Sequence, residues 1–201
     1  MPVIEEFNET SLLLRATGMP GWMRIAFMVY CCERMLPHYR YFSDEAGFGD
    51  RGALRGALDD AWTWIESGTL RGCISTLVLA CEKQAPDTGN FSSIYTSAAL
   101  DAATATAITV GATSDPTVAH LIDVASLARD TVDLFVQKSE DIEPNESHFE
   151  ERILASPLMQ AELRIQKESL EFLNGLHDKR ETVARQLRVQ WSNLARGSLK
   201  P

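Results

Sequence analysis

The chain has 201 residues, 45% of them hydrophobic and 23% charged. That is the usage of an ordinary globular protein, and it excludes a disordered chain, a collagen-like repeat and a small disulfide-stapled scaffold. Nineteen basic against 28 acidic residues leave a net charge of -9, which offers no general attraction to nucleic-acid phosphates or anionic lipid headgroups, so neither nucleic acid nor membrane is an expected partner.

Gly and Pro cut the chain into stretches that suit helices and exceed ordinary strands, so the expected fold is all-α: a single-domain helical bundle of about seven to nine helices over residues 1–201. The first stretch, 5–16, reads as a short helix ended by Gly18. Its start carries Glu5, Glu6 and Glu9 with no basic segment leading into an apolar one, so it does not read as a secretory leader, and a cytoplasmic location is expected. Residues 21–35 form the central helix, because Ile25 to Cys32 is apolar on every side and such a helix belongs in the middle of a bundle. The run is far too short to cross a bilayer. Pro37 either ends this helix or kinks it and lets a further turn pass through Tyr39 and Phe42.

Gly47-Phe-Gly-Asp-Arg-Gly52 satisfies G-x-G-x-x-G. The dinucleotide fingerprint needs a strand that delivers the glycines to a helix, and here a helix precedes them, so the stretch reads as a turn with Asp50 capping the next helix. That helix, 53–66, and another over 70–83 are separated at Gly68. The second could be written as a buried strand, but it has no strand partner nearby. Trp62 and Trp64 are two positions apart, roughly 200° around a helix, so they cannot face one core; one is expected at an interface or between two layers. Residues 92–112 are dominated by Ala, Thr and Ser, which allow close helix approach inside the bundle. Asp115-Pro116, read as a cap and first helical residue, opens an amphipathic helix to Ser139. Residues 139–151 carry six carboxylates and no Lys or Arg and read as an exposed acidic connection, becoming helical near Asn145. The chain closes with helices over 157–173 and 177–194, in which Met159, Leu163, Leu170 and Leu173 are expected to face Val183, Leu187, Trp191 and Leu194 as an antiparallel hairpin spanning 157–197.

Catalytic signatures are missing. Cys31, Cys32, Cys73 and Cys81 lack CxxC spacing and read as small buried hydrophobes. None of His38, His120, His148 and His177 follows a Glu by three residues, and no H-E-x-x-H, phosphate loop or G-x-S-x-G elbow occurs, so no metal and no cofactor are expected. The informative stretch is 32–50. Glu33 and Arg34 lie next to a fully apolar run, so at least one of them should be partly buried, and a buried charge needs a partner. Asp101 stands in an apolar stripe with Ile94, Ala98, Ala105 and Ile108. Arg34 and Asp101 are therefore expected in one buried polar network, with Asp59 or Asp60 as a third member. Such a network either fixes helix register or forms a binding or catalytic cluster, for which the candidates are Glu33, Arg34, His38, Tyr39, Asp50 and Asp101.

Cys32-Glu-Arg-Met-Leu-Pro-His-Tyr-Arg-Tyr-Phe42, Gly47-Phe-Gly-Asp50, the segment from Leu58 to Trp62 and Asp101-Ala102 together resemble the bacterial YjaG-like family, a domain of unknown function. His38 stands where members often have Asn, and Ala98-Ala99-Leu100 replaces their Pro-Ala before the later Asp. The resemblance spans nearly the whole chain and implies an all-helical cytoplasmic bacterial protein without an assigned activity. With no surviving pattern of nucleophile, base and anion cradle, the leading expectation is action through protein contacts, with a second copy of the chain as partner. The alternative is a small-molecule-binding protein or enzyme with a polar pocket around Glu33, Arg34, His38, Tyr39 and Asp101. A third reading is an inhibitor whose acidic segment mimics a polyanion.

Overall fold

In the computed structural model, residues 9–145, 147–177 and 180–197 are described, the last six of these by their backbone alone. The expected start of the first helix at Glu5 and the side chain of Leu194 lie outside the described residues. The described part is built from α1 (Glu9–Ala16), α2 (Gly21–Ala46), α3 (Arg51–Ser67), α4 (Ile74–Glu82), α5 (Thr96–Gly111), α6 (Val118–Ser139), α7 (Phe149–Ala155), α8 (Pro157–Asn174) and α9 (Arg180–Gly197), with one 3-10 turn at Thr88–Asn90. No strand occurs among the described residues, and no described helix is long and apolar enough to cross a membrane.

A helix apolar on every side must be surrounded, and α2 is: it packs against α5, α3, α6, α9 and α8, and every residue from Ile25 to Met35 is buried. Small residues bring α5 close. Ala99, Ala102, Ala103 and Ala105 are fully buried, and Thr109 hydrogen-bonds the Ala105 carbonyl at 2.7 Å while meeting Cys32 Sγ at 3.3 Å. At the start of α2, a Cβ on Gly21 would lie 2.5 Å from Pro116, so only glycine lets the two segments touch. Arg24 donates to the Pro116 carbonyl across the same contact at 2.9 Å.

Pro37 does not end α2, which runs on to Gly47 in the left-handed conformation at φ +63°. The continuation is held by packing: Tyr39 and Phe42 are buried, and Phe42 meets Phe91 and Phe48 edge-on at 5.2 and 6.0 Å. Other boundaries move inward. The helix expected over 70–83 is confined to α4, the acidic connection turns helical at Phe149, and α6 is capped by the Thr117 side chain, which accepts from the His120 N–H. Asp115 is thus not the cap; Thr117, two residues later, stands beside the first free N–H groups of α6.

Two further expectations are corrected. The closing helices do not form a hairpin with each other as principal partner: α9 lies along α3 and α2, whereas α8 lies along α6, with Phe172 and Trp191 in ring contact at 6.4 Å. The amphipathic stripe of α9 is satisfied equally well by any apolar groove, and the one between α2 and α3 holds Tyr30 and Trp62, on which Trp191 packs at 4.5 and 6.4 Å. Cys73 is exposed, since the chain around it precedes α4 outside the core; Cys31, Cys32 and Cys81 are buried. Of the two tryptophans, Trp62 is buried and Trp64 is half-buried under the Arg180 guanidinium, 5.0 Å from its ring.

Candidate ligand site

Neighbouring positions on a helix point about 100° apart, so Glu33 and Arg34 leave α2 toward different helices. Glu33 faces α3, accepting from Arg55 at 2.6 Å and from the Trp62 indole N–H at 3.0 Å. Arg55 also donates to Asp59 at 3.2 Å, and Asp59 accepts from Arg188 of α9 at 2.7 Å. This chain of charges ties α2, α3 and α9 together.

Arg34 turns to α8 instead. Its two terminal nitrogens donate to the two carboxylate oxygens of Glu162, one of them at 2.7 Å, and Gln166 donates to the same carboxylate at 2.7 Å and to the Ala125 carbonyl at 3.0 Å. Burial pushes the Glu162 carboxyl up, but the guanidinium and the Gln166 amide outweigh it, so the group stays below the usual carboxylate range and ionised. The expected partnership of Arg34 with Asp101 does not form. Asp101 accepts from Thr131 of α6 at 2.9 Å, and burial raises its carboxyl to about 6, with Asp130 adding to the rise and the Thr131 bond opposing it. Asp59 belongs to the Glu33 chain, and Asp60 lies 3.8 Å from Arg71. Ile94, placed on the Asp101 face from spacing alone, precedes α5 and is exposed.

Tyr39 and Asp50 serve the glycine turn. The Tyr39 hydroxyl donates to the Gln84 carbonyl at 3.2 Å, the Gln84 side chain accepts from the Asp50 N–H at 2.7 Å, and the Asp50 carboxylate accepts from the Gly52 N–H at 2.7 Å, capping α3. A Cβ on Gly49, whose φ is +83°, would fall 2.0 Å from the Tyr39 oxygen. The glycines therefore fit a close approach of backbone to an aromatic ring, and Asp50 acts as the helix cap read from the sequence.

Between α2, α6 and α8 lies a cavity of about 380 Å³. Arg34, Met35, His38 and Tyr41 line it from α2, Thr131 and Phe135 from α6, Glu162 and Ile165 from α8, and Tyr95 closes one side. Of the six candidate residues, the structure brings only Arg34 and His38 to this cavity. His38 is 9% exposed, its ring 4.5 Å from Phe135 and 6.2 Å from Tyr95, and its Nδ1 is buried with no hydrogen-bond partner among the described residues. Burial lowers its pKa to about 4, so the imidazole is neutral at neutral pH. Arg34 Nε is likewise buried without a partner. Glu162, Thr131, Phe135 and Tyr95 escaped the sequence reading. For Glu162 a signal existed: Met159, Glu162, Leu163, Gln166 and Leu170 follow helical spacing, so a carboxylate and an amide sit in the buried stripe of α8.

The comparisons with known proteins agree with this architecture. The chain is 26% identical over 161 residues to the uncharacterized protein YjaG of Escherichia coli (strain K12), 80% of each chain being covered. Its fold is similar to the crystal structure of a DUF416 family protein from Shewanella baltica OS155, with a TM-score of 0.81, 22% identity, and 90% of this chain and 93% of that one covered. The family model described as "Protein of unknown function (DUF416)" matches residues 12–195, and the chain belongs to that family.

Proposed function

We propose that the protein binds a small, largely apolar molecule in the cavity between α2, α6 and α8. The observation that carries this reading is a 380 Å³ hollow walled largely by aromatic and aliphatic side chains, with His38, Thr131 and the Arg34–Glu162 pair among its polar groups. Ligand sites commonly measure roughly 300–1,000 Å³ and combine an apolar lining with few, fixed polar groups. A cytoplasmic setting fits its free cysteines.

The test is a thermal-denaturation screen of the full chain against small apolar and ring-bearing compounds, run beside Ala161→Phe, which narrows the cavity from α8. Ligands at about 100 times their Kd add about 2.7 kcal/mol to the wild type and nothing to the variant, whose fold is checked by circular dichroism. A screen in which no compound separates the two proteins sinks the reading.

A second reading, pairing with a second copy, is supported by α1, where Leu13 and Leu14 are 47% and 71% exposed. Sedimentation velocity on the wild type and Leu14→Glu measures it: a dimer that the variant splits supports pairing, and a wild-type monomer at high concentration refutes it.

A further inference from the structure

We infer that the cavity takes an uncharged, planar molecule of two or three rings carrying one hydroxyl group, which hydrogen-bonds the His38 imidazole at Nε2. The inference rests on the cavity being a ligand site and adds the chemistry of the ligand.

Size comes first. A cavity of roughly 150 Å³ lined by apolar side chains accommodates benzene, so the 380 Å³ here suits a molecule of two to three rings. The walls favour a flat one. The rings of His38, Tyr95 and Phe135 lie within 4.5 to 6.2 Å of one another, and Tyr41 stacks on Tyr95 at 5.4 Å with 27° between planes. Aromatic faces gain most from another ring, offset or edge-on.

Charge is decided by the ion pair. Arg34 and Glu162 neutralise each other through two hydrogen bonds, so an anionic ligand would meet the Glu162 carboxylate and a cationic one the Arg34 guanidinium, each losing its hydration without gaining a free counter-charge. Among the described residues Arg34 Nε and His38 Nδ1 are both without partners but have no surface in the cavity, which leaves Nε2 of the His38 ring as the unpartnered nitrogen that a ligand reaches. A neutral imidazole presents Nε2 as donor or as acceptor, according to tautomer, and a hydroxyl is the small group that answers both.

The experiment is equilibrium dialysis of the full chain against 2-naphthol, 2-methylnaphthalene and 2-naphthoate at pH 7, with His38→Phe and Ala161→Phe as variants. In the wild type, 2-naphthol should bind about tenfold tighter than 2-methylnaphthalene, as expected for one buried hydrogen bond, and 2-naphthoate weakest of the three. His38→Phe should abolish the preference for the hydroxyl while retaining 2-methylnaphthalene. The imidazole ¹⁵N resonance of His38 in the wild type should shift with 2-naphthol and not with the methyl analogue, a readout that stands even if the variant does not fold. Equal binding of naphthol and methylnaphthalene, both lost in Ala161→Phe, overturns the hydroxyl assignment and leaves the cavity reading standing. Tightest binding of 2-naphthoate overturns it too and makes Arg34 the anchor. If none of the three binds, the ring-ligand inference fails, and the broader screen decides the cavity reading on its own.

Discussion

Arg34 and Glu162, 128 positions apart, meet as a buried two-pronged ion pair that joins the central helix α2 to α8 along one wall of the cavity. The side chains are 8% and 5% exposed, so neither charge can turn to solvent if the other is removed.

That geometry predicts strong coupling. Arg34→Met should destabilise the fold by about 3–5 kcal/mol, because it strands a carboxylate in the interior. Adding Glu162→Leu should return most of the loss. Guanidinium denaturation of both single variants and the double variant measures the coupling; additive effects would show that the two groups act independently.

Glu33 is the other buried charge of the motif, held by Arg55 and the Trp62 indole. Glu33→Gln keeps an acceptor for the indole and removes the charge that Arg55 faces, so a loss of about 2–3 kcal/mol is expected, as for hydrogen bonds to charged groups. Trp62 fluorescence reports on its surroundings. A melting temperature equal to wild type would mean that solvent already compensates Arg55.

Gly49→Ala should destabilise by about 2 kcal/mol or more, since it combines a left-handed backbone with a Cβ set 2.0 Å from the Tyr39 oxygen. Tyr39→Phe removes that oxygen, so the double variant should be more stable than the sum of the two single losses. Thermal melts of the four proteins decide this.

Titration of two buried groups, His38 and Asp101, sets a pH dependence. His38 has an ordinary value of 6.5 and is lowered by burial to about 4. Between these values the unfolded chain binds more protons, so His38 leaves the fold undisturbed above the upper value and opposes it increasingly as pH falls toward the lower one. Asp101 has the opposite sign. Burial raises it from 3.8 to about 6, so its charged form opposes folding above the upper value, and acidification relieves that. From pH 7 to about 4.5, wild type should lose about 2–3 kcal/mol relative to His38→Phe and gain about 1–2 kcal/mol relative to Asp101→Asn. Urea denaturation at the two pH values checks both, and the His38 arm fails if the wild type and His38→Phe keep a constant difference.

Helix identity was largely legible before the structure because periodicity and punctuation are local. The all-round apolar stretch at Ile25 to Cys32 requires a surrounded helix, and Asp50 ahead of the next helix supplies a cap whose partner lies two residues away. The same locality explains what stayed open. Pro37 removes one N–H from α2, and whether the helix survives depends on Tyr39 and Phe42 finding Phe91 and Gln84, which no local pattern announces.

Sequence by itself determined that α2 would be central and that at least one of Glu33 and Arg34 would carry buried charge needing a partner. Only the tertiary structure decided which partners: Arg55 and Glu162 rather than Asp101, with His38 left beside an open cavity and Tyr39 turned away from it. The reason is physical. A burial requirement follows from composition and helical phase, both written along the chain, whereas a pairing follows from how rigid rods are laid against each other, and several carboxylates of equal chemistry compete for one guanidinium until that packing is set.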